Sequence, residues 1–462
     1  MEIIAFGAAK EVTGSCFSIA TEKEKILIDC GLFQGNKEMI RMNYEDFEFN
    51  PQKYSALILT HAHLDHCGRI PKLVKYGFRG KIFCTDATKA LAEIVMRDSA
   101  KIAAEDTNHE NKRRAKQGLP PRKPLYNDID VNNSMKLFRV FNYDEEFKIT
   151  KNISAVFYDA GHILGASSVQ IKILEREKEN VLIFSGDLGQ KGAVLVKKTE
   201  PIEKADYVFI ESTYGDRLHP SIDERGKELT RVINETYKRK GKLMIPSFAV
   251  ERTQEILYWI KNLMAKNLIP RQRVYLDSPM ALKATEVFIR YPEHYNETVK
   301  KTIHGDENPF EFPELVKTQS VDESKKINSE NGPFIIIAGN GMCTGGRIKH
   351  HIRNNIEDPK NTLLFIGYQT KGTLGYWIKK GEKQIRLLGD SKRVNAKIET
   401  IEGFSAHADY NDLIKWLKNF SPKPKKVYII HGDEEESRAF FKKIVKEDFK
   451  AYIPSLNEKI II

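Results

Sequence analysis

Cysteine is scarce in this chain and never paired. Among 462 residues there are five, Cys16, Cys30, Cys67, Cys84 and Cys343, scattered and without a Cys-x-x-Cys spacing. That pattern excludes a disulfide framework and a cysteine zinc site, and it points to a reducing compartment. Long apolar runs are missing too; none approaches the roughly 18 residues of a membrane helix. The stretch Met1-Glu2-Ile3-Ile4-Ala5-Phe6-Gly7 has no basic segment followed by an apolar one. No signal peptide is therefore expected, and the expected location is the cytoplasm. Internal repeats and low-complexity tracts are also absent.

What is present is ample core material under a heavily charged surface. Hydrophobic residues make up 41% of the chain and charged residues 30%. The length suits two or three domains. Lys+Arg 74 against Asp+Glu 63 gives a net charge of +11. For this length the excess is modest, and it matters only for attracting a polyanion.

The chain is organised around His61-Ala62-His63-Leu64-Asp65-His66, directly after the apolar run Ser55-Ala56-Leu57-Ile58-Leu59-Thr60. Imidazole nitrogen and carboxylate oxygen are the usual non-thiolate ligands of zinc. An ordinary core does not gather three imidazoles and a carboxylate, because each needs its own partner once buried. Cys67, beside His66, is a soft ligand by type alone and reads better as a small buried residue.

One pattern recurs through the rest. Ala155-Val156-Phe157-Tyr158 leads to Asp159-Ala160-Gly161-His162, and Val181-Leu182-Ile183-Phe184 leads to Ser185-Gly186-Asp187. Tyr207-Val208-Phe209-Ile210 leads to Glu211-Ser212-Thr213, and Val427-Tyr428-Ile429-Ile430 leads to His431-Gly432-Asp433. Lys25 to Ile28 runs in the same way into Asp29. Each is a buried-strand run ending in a metal-type or acid/base side chain. Strand ends along one sheet edge would bring Asp29, His61, His162, Asp187, Glu211 and His431 into a single cleft. Residues 97–150 form a charged excursion with a breaker at Pro120-Pro121-Arg122-Lys123-Pro124, expected as helix, loop and hairpin.

Between Tyr214 and about Val394 the pattern changes to strand-to-helix units: Lys242 to Pro246, Arg273 to Leu276, Phe334 to Ala338 and Thr362 to Ile366, each followed by a helical stretch. In the first of those helices Ile256, Leu257, Ile260, Leu263 and Met264 form an apolar stripe at three-and-four spacing, which is core packing. Alternating strands and helices imply a parallel α/β sheet. His407 and His431 lie beyond it, so it reads as an insertion. The expected domains are 1–213 and 395–462 together, with 214–394 inserted.

His61, His63 and His162 suit one metal, Asp65, His66 and His431 a second, and Asp187 can bridge them. Two metals about 3.5–4 Å apart activate a shared water as hydroxide and stabilise the attacking and leaving oxygens of a phosphoryl displacement. Asp29 would hold an imidazole N–H in place. Ser405 and the amides of Gly341 to Gly346 are candidate phosphate contacts. Arg252 and Arg347 are weaker candidates for substrate contact, since helical arginines are commonly only solvated. His109, His219, His294, His304, His350 and His351 have no strand-end context and are assigned surface or packing roles.

His-Ala-His-Leu-Asp-His, the Gly-His162 and Gly-Asp187 pairs and the late His431-Gly432-Asp433 resemble the metallo-β-lactamase fold. Glu211-Ser212-Thr213-Tyr214-Gly215, Ser405-Ala406-His407-Ala408-Asp409 and His431-Gly432-Asp433 resemble the three additional motifs of the β-CASP nucleases. Ile245 to Glu255 and Gly341 to Gly346 are similar to further stretches of that family. The resemblance implies an α/β architecture, a metallo-β-lactamase αββα sandwich with an inserted parallel-sheet β-CASP domain. His431 at the third of those motifs is similar to RNA-processing members, where DNA-repair members carry valine. The chain most resembles short archaeal and bacterial relatives of the cleavage-and-polyadenylation nuclease subunit, and RNase J-like enzymes more distantly.

The resemblance further implies two zinc ions per chain. Asp65 joins the catalytic set, with His407 as general acid and Glu211 orienting it. A histidine near neutral pKa can donate to a departing oxygen while a carboxylate fixes its tautomer. The expected activity is zinc-dependent hydrolysis of single-stranded RNA, endonucleolytic, 5′-3′ exonucleolytic or both. A second copy of the chain is a candidate partner; no membrane and no small-molecule organic cofactor are expected. Two alternatives stand beside this reading. One is a small-molecule hydrolase of thioesters or lactams, against which the insertion and His407 weigh. The other is a non-catalytic RNA scaffold, against which the complete ligand set weighs.

Overall fold

The computed structural model describes residues 1–302, 308–367 and 369–462. It divides into two compact units, Met1–Leu218 with His407–Ile462, and His219–Ala406. The expected histidine position 304 lies outside the described residues.

The first unit is a two-sheet sandwich. Strands β1 (Glu2–Ala5), β2 (Phe17–Ala20), β3 (Lys25–Ile28), β4 (Ala56–Ile58), β5 (Lys81–Cys84) and β6 (Phe138–Val140) lie side by side in that order in the first sheet. Strands β7 (Glu146–Lys148), β8 (Ile153–Asp159), β9 (Ser167–Glu175), β10 (Lys178–Phe184) and β11 (Tyr207–Ile210) belong to the second. The two sheets share one core. Ile19, Ile28, Ile58 and Phe83 of the first pack with Phe157, Ile171, Phe184 and Phe209 of the second. Phe184 stacks on Phe209 with centroids 4.4 Å apart and planes 3° from parallel, an arrangement that fixes the spacing of β10 and β11.

Residues 97–150 hold the expected helix and loop, but a second helix follows and the hairpin strand pairs beyond residue 150. A single helix, Asp86–Lys116, carries the chain through the first part of the charged excursion. It buries Ala87, Thr88, Leu91, Ala92, Val95 and Met96 along one stripe near its start. Beyond Lys116 a second helix, Asp128–Met135, begins with a capping box between Asn127 and Asp130. β6 and β7 do not pair with each other: β6 pairs with β5 in one sheet, and β7 forms an antiparallel hairpin with β8, which starts only at Ile153, in the other. The segment thus hands the chain from one sheet to the other. Its charged residues hid this, since both strands are short and mostly exposed.

The second unit holds strands β12 (Lys242–Pro246), β13 (Val274–Leu276), β14 (Leu315–Lys317), β15 (Phe334–Ala338), β16 (Thr362–Phe365) and β19 (Lys397–Thr400), with a small antiparallel pair β17 (Gln384–Leu387) and β18 (Asp390–Arg393). The six-stranded sheet runs β14-β13-β15-β12-β16-β19 and every pairing is parallel. Its central strands are buried end to end, as parallel strands covered on both faces must be. Helix Arg252–Ala265 buries Ile256, Leu257, Ile260, Leu263 and Met264. Strand β19 pairs with β16 and so keeps residues up to Ala406 in this unit.

The chain then returns to the first unit. β20 (Lys426–Ile429) pairs with β11, β21 (Ala451–Tyr452) with β20, and β22 (Lys459–Ile461) with β1. Two seven-stranded sheets result. Among the described residues, no helix is long and apolar enough to cross a membrane.

One polar knot stands out in the second unit. Asp277, fully buried after β13, receives hydrogen bonds from Thr318 (2.5 Å), Ser324 (2.5 Å) and Arg347 (2.6 Å), and lies 2.6 Å from His351 Nε2. Burial works against its charge, yet the bonds from His351, Ser324 and Thr318 outweigh it and hold the carboxyl down to about 2. A depressed carboxyl supplies stability that is complete above its unfolded-state pKa and is lost as pH falls toward the folded value. Acid unfolding followed by circular dichroism should therefore show a limb between about pH 4 and pH 2 that Asp277→Asn flattens. Asp277→Ala, which strands a half-buried Arg347 and the buried His351, should cost about 3–5 kcal/mol in urea unfolding.

Candidate metal centre

Each side chain of the centre sits where a strand of the first unit ends. β3 delivers Asp29, β4 leads into His61 and the short helix Leu64–Cys67, and β8 leads to His162. β10, β11 and β20 lead to Asp187, Glu211 and His431. Two of these residues adopt left-handed backbone, Asp29 with φ 58° and His431 with φ 47°. Such conformations are costly for non-glycine residues and persist where surrounding bonds over-determine them. His431 is held in this way: its N–H donates to Ala8 O at 2.8 Å and its carbonyl accepts from Ser212 N at 3.0 Å.

Two glycines permit the close approach of loops. A Cβ on Gly31 would lie 1.5 Å from Asp65 O, and one on Gly189 would lie 1.7 Å from Gly161 O. The loops bearing Asp65, His162 and Asp187 can meet only because neither position has a side chain.

Asp187 is the hub. His61 Nε2 and His162 Nε2 lie 3.3 and 3.5 Å from its Oδ2; His66 Nε2 and His431 Nδ1 each lie 3.4 Å from its Oδ1. Around Oδ2, His63 Nδ1 is 3.1 Å from both His61 Nε2 and His162 Nε2. Around Oδ1, His66 Nε2 is 3.0 Å from His431 Nε2, which is 3.6 Å from Asp65 Oδ2. Among the described residues three overlapping ligand groups emerge: His61, His63, His162 and Asp187; Asp65, His66 and His431; and Asp187, Glu211 and His431.

The residues present fit metal ions. Atoms about 2.0–2.1 Å from a tetrahedral zinc stand roughly 3.3 Å from one another, close to the separations found here. Both oxygens of Asp187 are buried and accept no hydrogen bond, a large penalty for an ionised carboxylate unless a cation meets it. Burial and the nearby His66 push His61 down to about 3, and burial brings His63 down to about 4. Both imidazoles are thus neutral, with a lone pair free for a metal. His66 behaves oppositely: burial opposes its charge, but Asp187 and Asp29 raise it well above the ordinary histidine value.

The surrounding shell is mostly hydroxyl. Asp29 Oδ2 lies 2.7 Å from His66 Nδ1. Thr60, not singled out in the sequence, donates to Asp29 and lies 3.1 Å from His61 Nδ1. Thr213 lies 3.2 Å from His431 Nδ1, and Ser15 donates to Asp29 at 3.1 Å. Their position beside strand-end histidines was the only available signal, and a hydroxyl at a strand end is too common to stand out.

His407 enters beside this cluster. Its Nδ1 is 3.1 Å from Glu211 Oε2 and 3.9 Å from Asp187 Oδ2. Burial would lower its pKa, but the carboxylates of Glu211 and Asp187 win and push it up to about 9. Glu211 is fully buried and also accepts from Leu188 N at 2.6 Å.

The substrate-contact candidates lie in the second unit, and none is a free surface group. Arg252 is buried and donates to Glu255. Arg347 is committed to Asp277 and to Gln319 O at 2.7 Å. Gly341 O accepts from Gln369 at 2.9 Å, and Ser405 is buried. Both arginines read as exposed helical residues in the sequence; buried carboxylates three residues on in one case, and seventy residues back in the other, occupy them instead. Of the histidines given no chemistry, His351 is buried against Asp277, while His109 and His350 are exposed. Cys67 is buried, and its thiol is raised well above the usual range by burial.

An αββα sandwich with histidine and aspartate ligands at its strand ends defines the metallo-β-lactamase class of metallohydrolase. Residues 9–128 match the metallo-beta-lactamase superfamily, residues 253–378 the Beta-Casp domain, and residues 391–454 the Zn-dependent metallo-hydrolase RNA specificity domain. The chain is 36% identical to a ribonuclease of Thermus thermophilus over 96% of its own length and 95% of that protein's. It is 32% identical to a transcription termination factor of Methanocaldococcus jannaschii, covering 94% of this chain and 67% of that one. An RNase J-like protein of the same organism is 32% identical, covering 94% and 93%. A crystal structure of a protein of unknown function from Enterococcus faecalis shares the fold, with a TM-score of 0.54 at 13% identity over 100% of this chain and 99% of that one. The chain belongs to the β-CASP ribonuclease family of the metallo-β-lactamase superfamily.

Asp187→Ala should reduce bound zinc, measured by elemental analysis of the purified protein, to below half of the parent's content. His407→Ala should keep the parent's zinc content; a variant that loses zinc would make His407 a ligand.

Proposed function

We propose that this chain is a zinc-dependent ribonuclease that hydrolyses phosphodiester bonds of single-stranded RNA. The supporting observation is the unsatisfied, buried Asp187 carboxylate between two imidazole clusters, with His407 and Glu211 alongside. In this reading His61, His63 and His162 hold one zinc, Asp65, His66 and His431 hold a second, and Asp187 lies between them. When bound, two zinc ions lower the pKa of water to about 7 and neutralise charge on a phosphoryl group.

The remaining work falls to the chain's own residues. Asp29 and Thr60 orient His66 and His61, keeping the metal-facing nitrogens unprotonated. Glu211 accepts from His407 Nδ1, so the proton available to a leaving oxygen sits on Nε2. The RNA specificity domain match and the named ribonuclease relative support RNA as the substrate. The parallel-sheet unit with the Gly341 to Gly346 turn would bind extended chain with little sequence preference.

The test is a cleavage assay on labelled single-stranded RNA and DNA, with and without chelator. RNA should be cut, chelator should abolish cutting, and zinc should restore it. His407→Ala should lower turnover by about 10²–10⁴-fold, the usual worth of a general acid. Hydrolysis of a chromogenic lactam or thioester with intact RNA would replace this reading with a small-molecule hydrolase. RNA bearing a 5′-monophosphate or a 5′-triphosphate separates internal cutting from 5′-3′ trimming, and light scattering reads whether two copies associate.

A further inference from the structure

Beside the metal centre, within the first unit, lies a cavity of about 250 Å³ that the chemistry described above does not use. One wall is the segment after Asp187, from Leu188 to Lys191, continuing to Lys198, Thr199 and Pro201; the other is the helix Tyr410–Leu417 with Ala408 before it. Its ionised groups are Lys191, Lys198 and Lys415 against a single carboxylate, Asp412. Asp412 accepts from the Lys191 backbone N–H at 2.9 Å, and its Oδ1 lies 3.9 Å from Lys415 Nζ, so one of the three ammonium groups is paired. Among the described residues, neither the Lys191 nor the Lys198 ammonium belongs to an ion pair. Both lysines are exposed, as are Pro201 and Asn419, so the mouth opens to solvent.

The cavity is tied rigidly to the reacting groups. Ala408 N donates to Leu188 O at 2.7 Å, and Gly189 forms a β-bridge with His407. Thr199 Oγ1 donates to Gly189 O at 3.1 Å and to Ala160 O at 2.9 Å, two residues before His162. Whatever occupies the cavity is therefore held at a fixed offset from Asp187, His162 and His407.

We propose that this cavity is a subsite for a backbone phosphate of single-stranded RNA flanking the cleaved bond, held by the ammonium groups of Lys191, Lys198 and Lys415; the proposal rests on the ribonuclease reading. Three lysines against one carboxylate give the lining a net positive charge, and lysine binds phosphate as a point charge. Its volume falls below the roughly 300–1,000 Å³ of organic-ligand pockets, which suits a phosphate with its ribose rather than a free cofactor. Leu188, Pro201 and Trp416 give an apolar side against which a sugar can rest. Phosphate contacts fix the register of a nucleic acid without reading its sequence. A phosphate here would set which linkage faces His407.

The test compares two triple variants of the full zinc-loaded chain. K191A/K198A/K415A empties the cavity of cations. K23A/K151A/K178A removes the same charge at the opposite ends of the strands: these lysines are exposed and precede β3, β8 and the body of β10, which run toward the centre. Binding of a fluorescent single-stranded RNA is read by anisotropy on ice across a range of salt, with the RNA checked by gel to be intact. The cavity variant should bind about tenfold more weakly, and its slope of log Kd against log salt should shrink by about 0.7 for each phosphate that no longer meets a lysine. The control should stay within about twofold of the parent, and both variants should keep the parent's thermal midpoint. Equal weakening in both variants would mean net charge alone, and unchanged binding in the cavity variant would mean an idle cavity; either overturns the proposal. If the parent itself binds no RNA, the ribonuclease reading fails first and the subsite goes with it.

Discussion

Everything at the centre of the first unit is arranged around one carboxylate that has no hydrogen-bond donor. Asp187 is buried at the end of β10, and the groups facing its two oxygens are imidazoles rather than backbone amides. An ionised carboxylate so placed is among the most expensive things a protein core can contain. Burial raises its pKa, and His431, His66, His61 and His407 outweigh that and hold it well below the usual carboxylate range, although His61 is itself driven toward neutrality by burial. A cation would satisfy the carboxylate and the imidazole lone pairs together. Folding and metal binding are then coupled, since the same contacts serve both.

Much of this was readable in the sequence because it is written in local grammar. A four-residue apolar run followed by Asp, His or Glu recurs at β8, β10, β11 and β20, and a strand's direction decides where its last side chain goes. The parallel sheet of the second unit was equally legible, since its buried strands alternate with helices of ordinary length. Less legible was whatever depends on pairing across the chain. β6 and β7 are three residues each and polar on the outside, so nothing local distinguishes a hairpin from two edge strands of separate sheets. The arginines at 252 and 347 carry the same lesson. A sequence shows their charge but not the buried carboxylates, Glu255 and Asp277, that engage them.

The hydroxyl shell illustrates a further limit. Thr213 lies 3.2 Å from His431 Nδ1, while Thr60 and Ser15 donate to Asp29 at 3.0 and 3.1 Å and so fix the carboxylate that faces His66. Thr60 bridges Asp29 to His61, so an acid from β3 and an imidazole after β4 become one rigid unit. Left-handed backbone at Asp29 and His431 aims those side chains inward at a local cost that the sandwich absorbs. Pre-organisation of this kind matters most where positioning and electrostatics carry the chemistry, as in phosphoryl transfer.

The order in which the chain supplies these groups constrains how the centre can be assembled. His61, His63, Asp65 and His66 come from one loop, but the His66–His431 contact spans 365 residues and the His407–Glu211 contact spans 196. Between Glu211 and His407 the whole second unit must be threaded, and long loops that close before their contacts form make for slow folding. The His61, His63, His162 and Asp187 group is complete within the first 187 residues, whereas the group of Asp65, His66 and His431 waits for its last member. The two clusters therefore differ in kind: one belongs to the first segment of the sandwich alone, and the other exists only after the return strand β20 has paired with β11. A centre whose second half depends on that last pairing gathers both His407 and His431 only in the finished fold, so its full constellation is tied to complete folding of the chain.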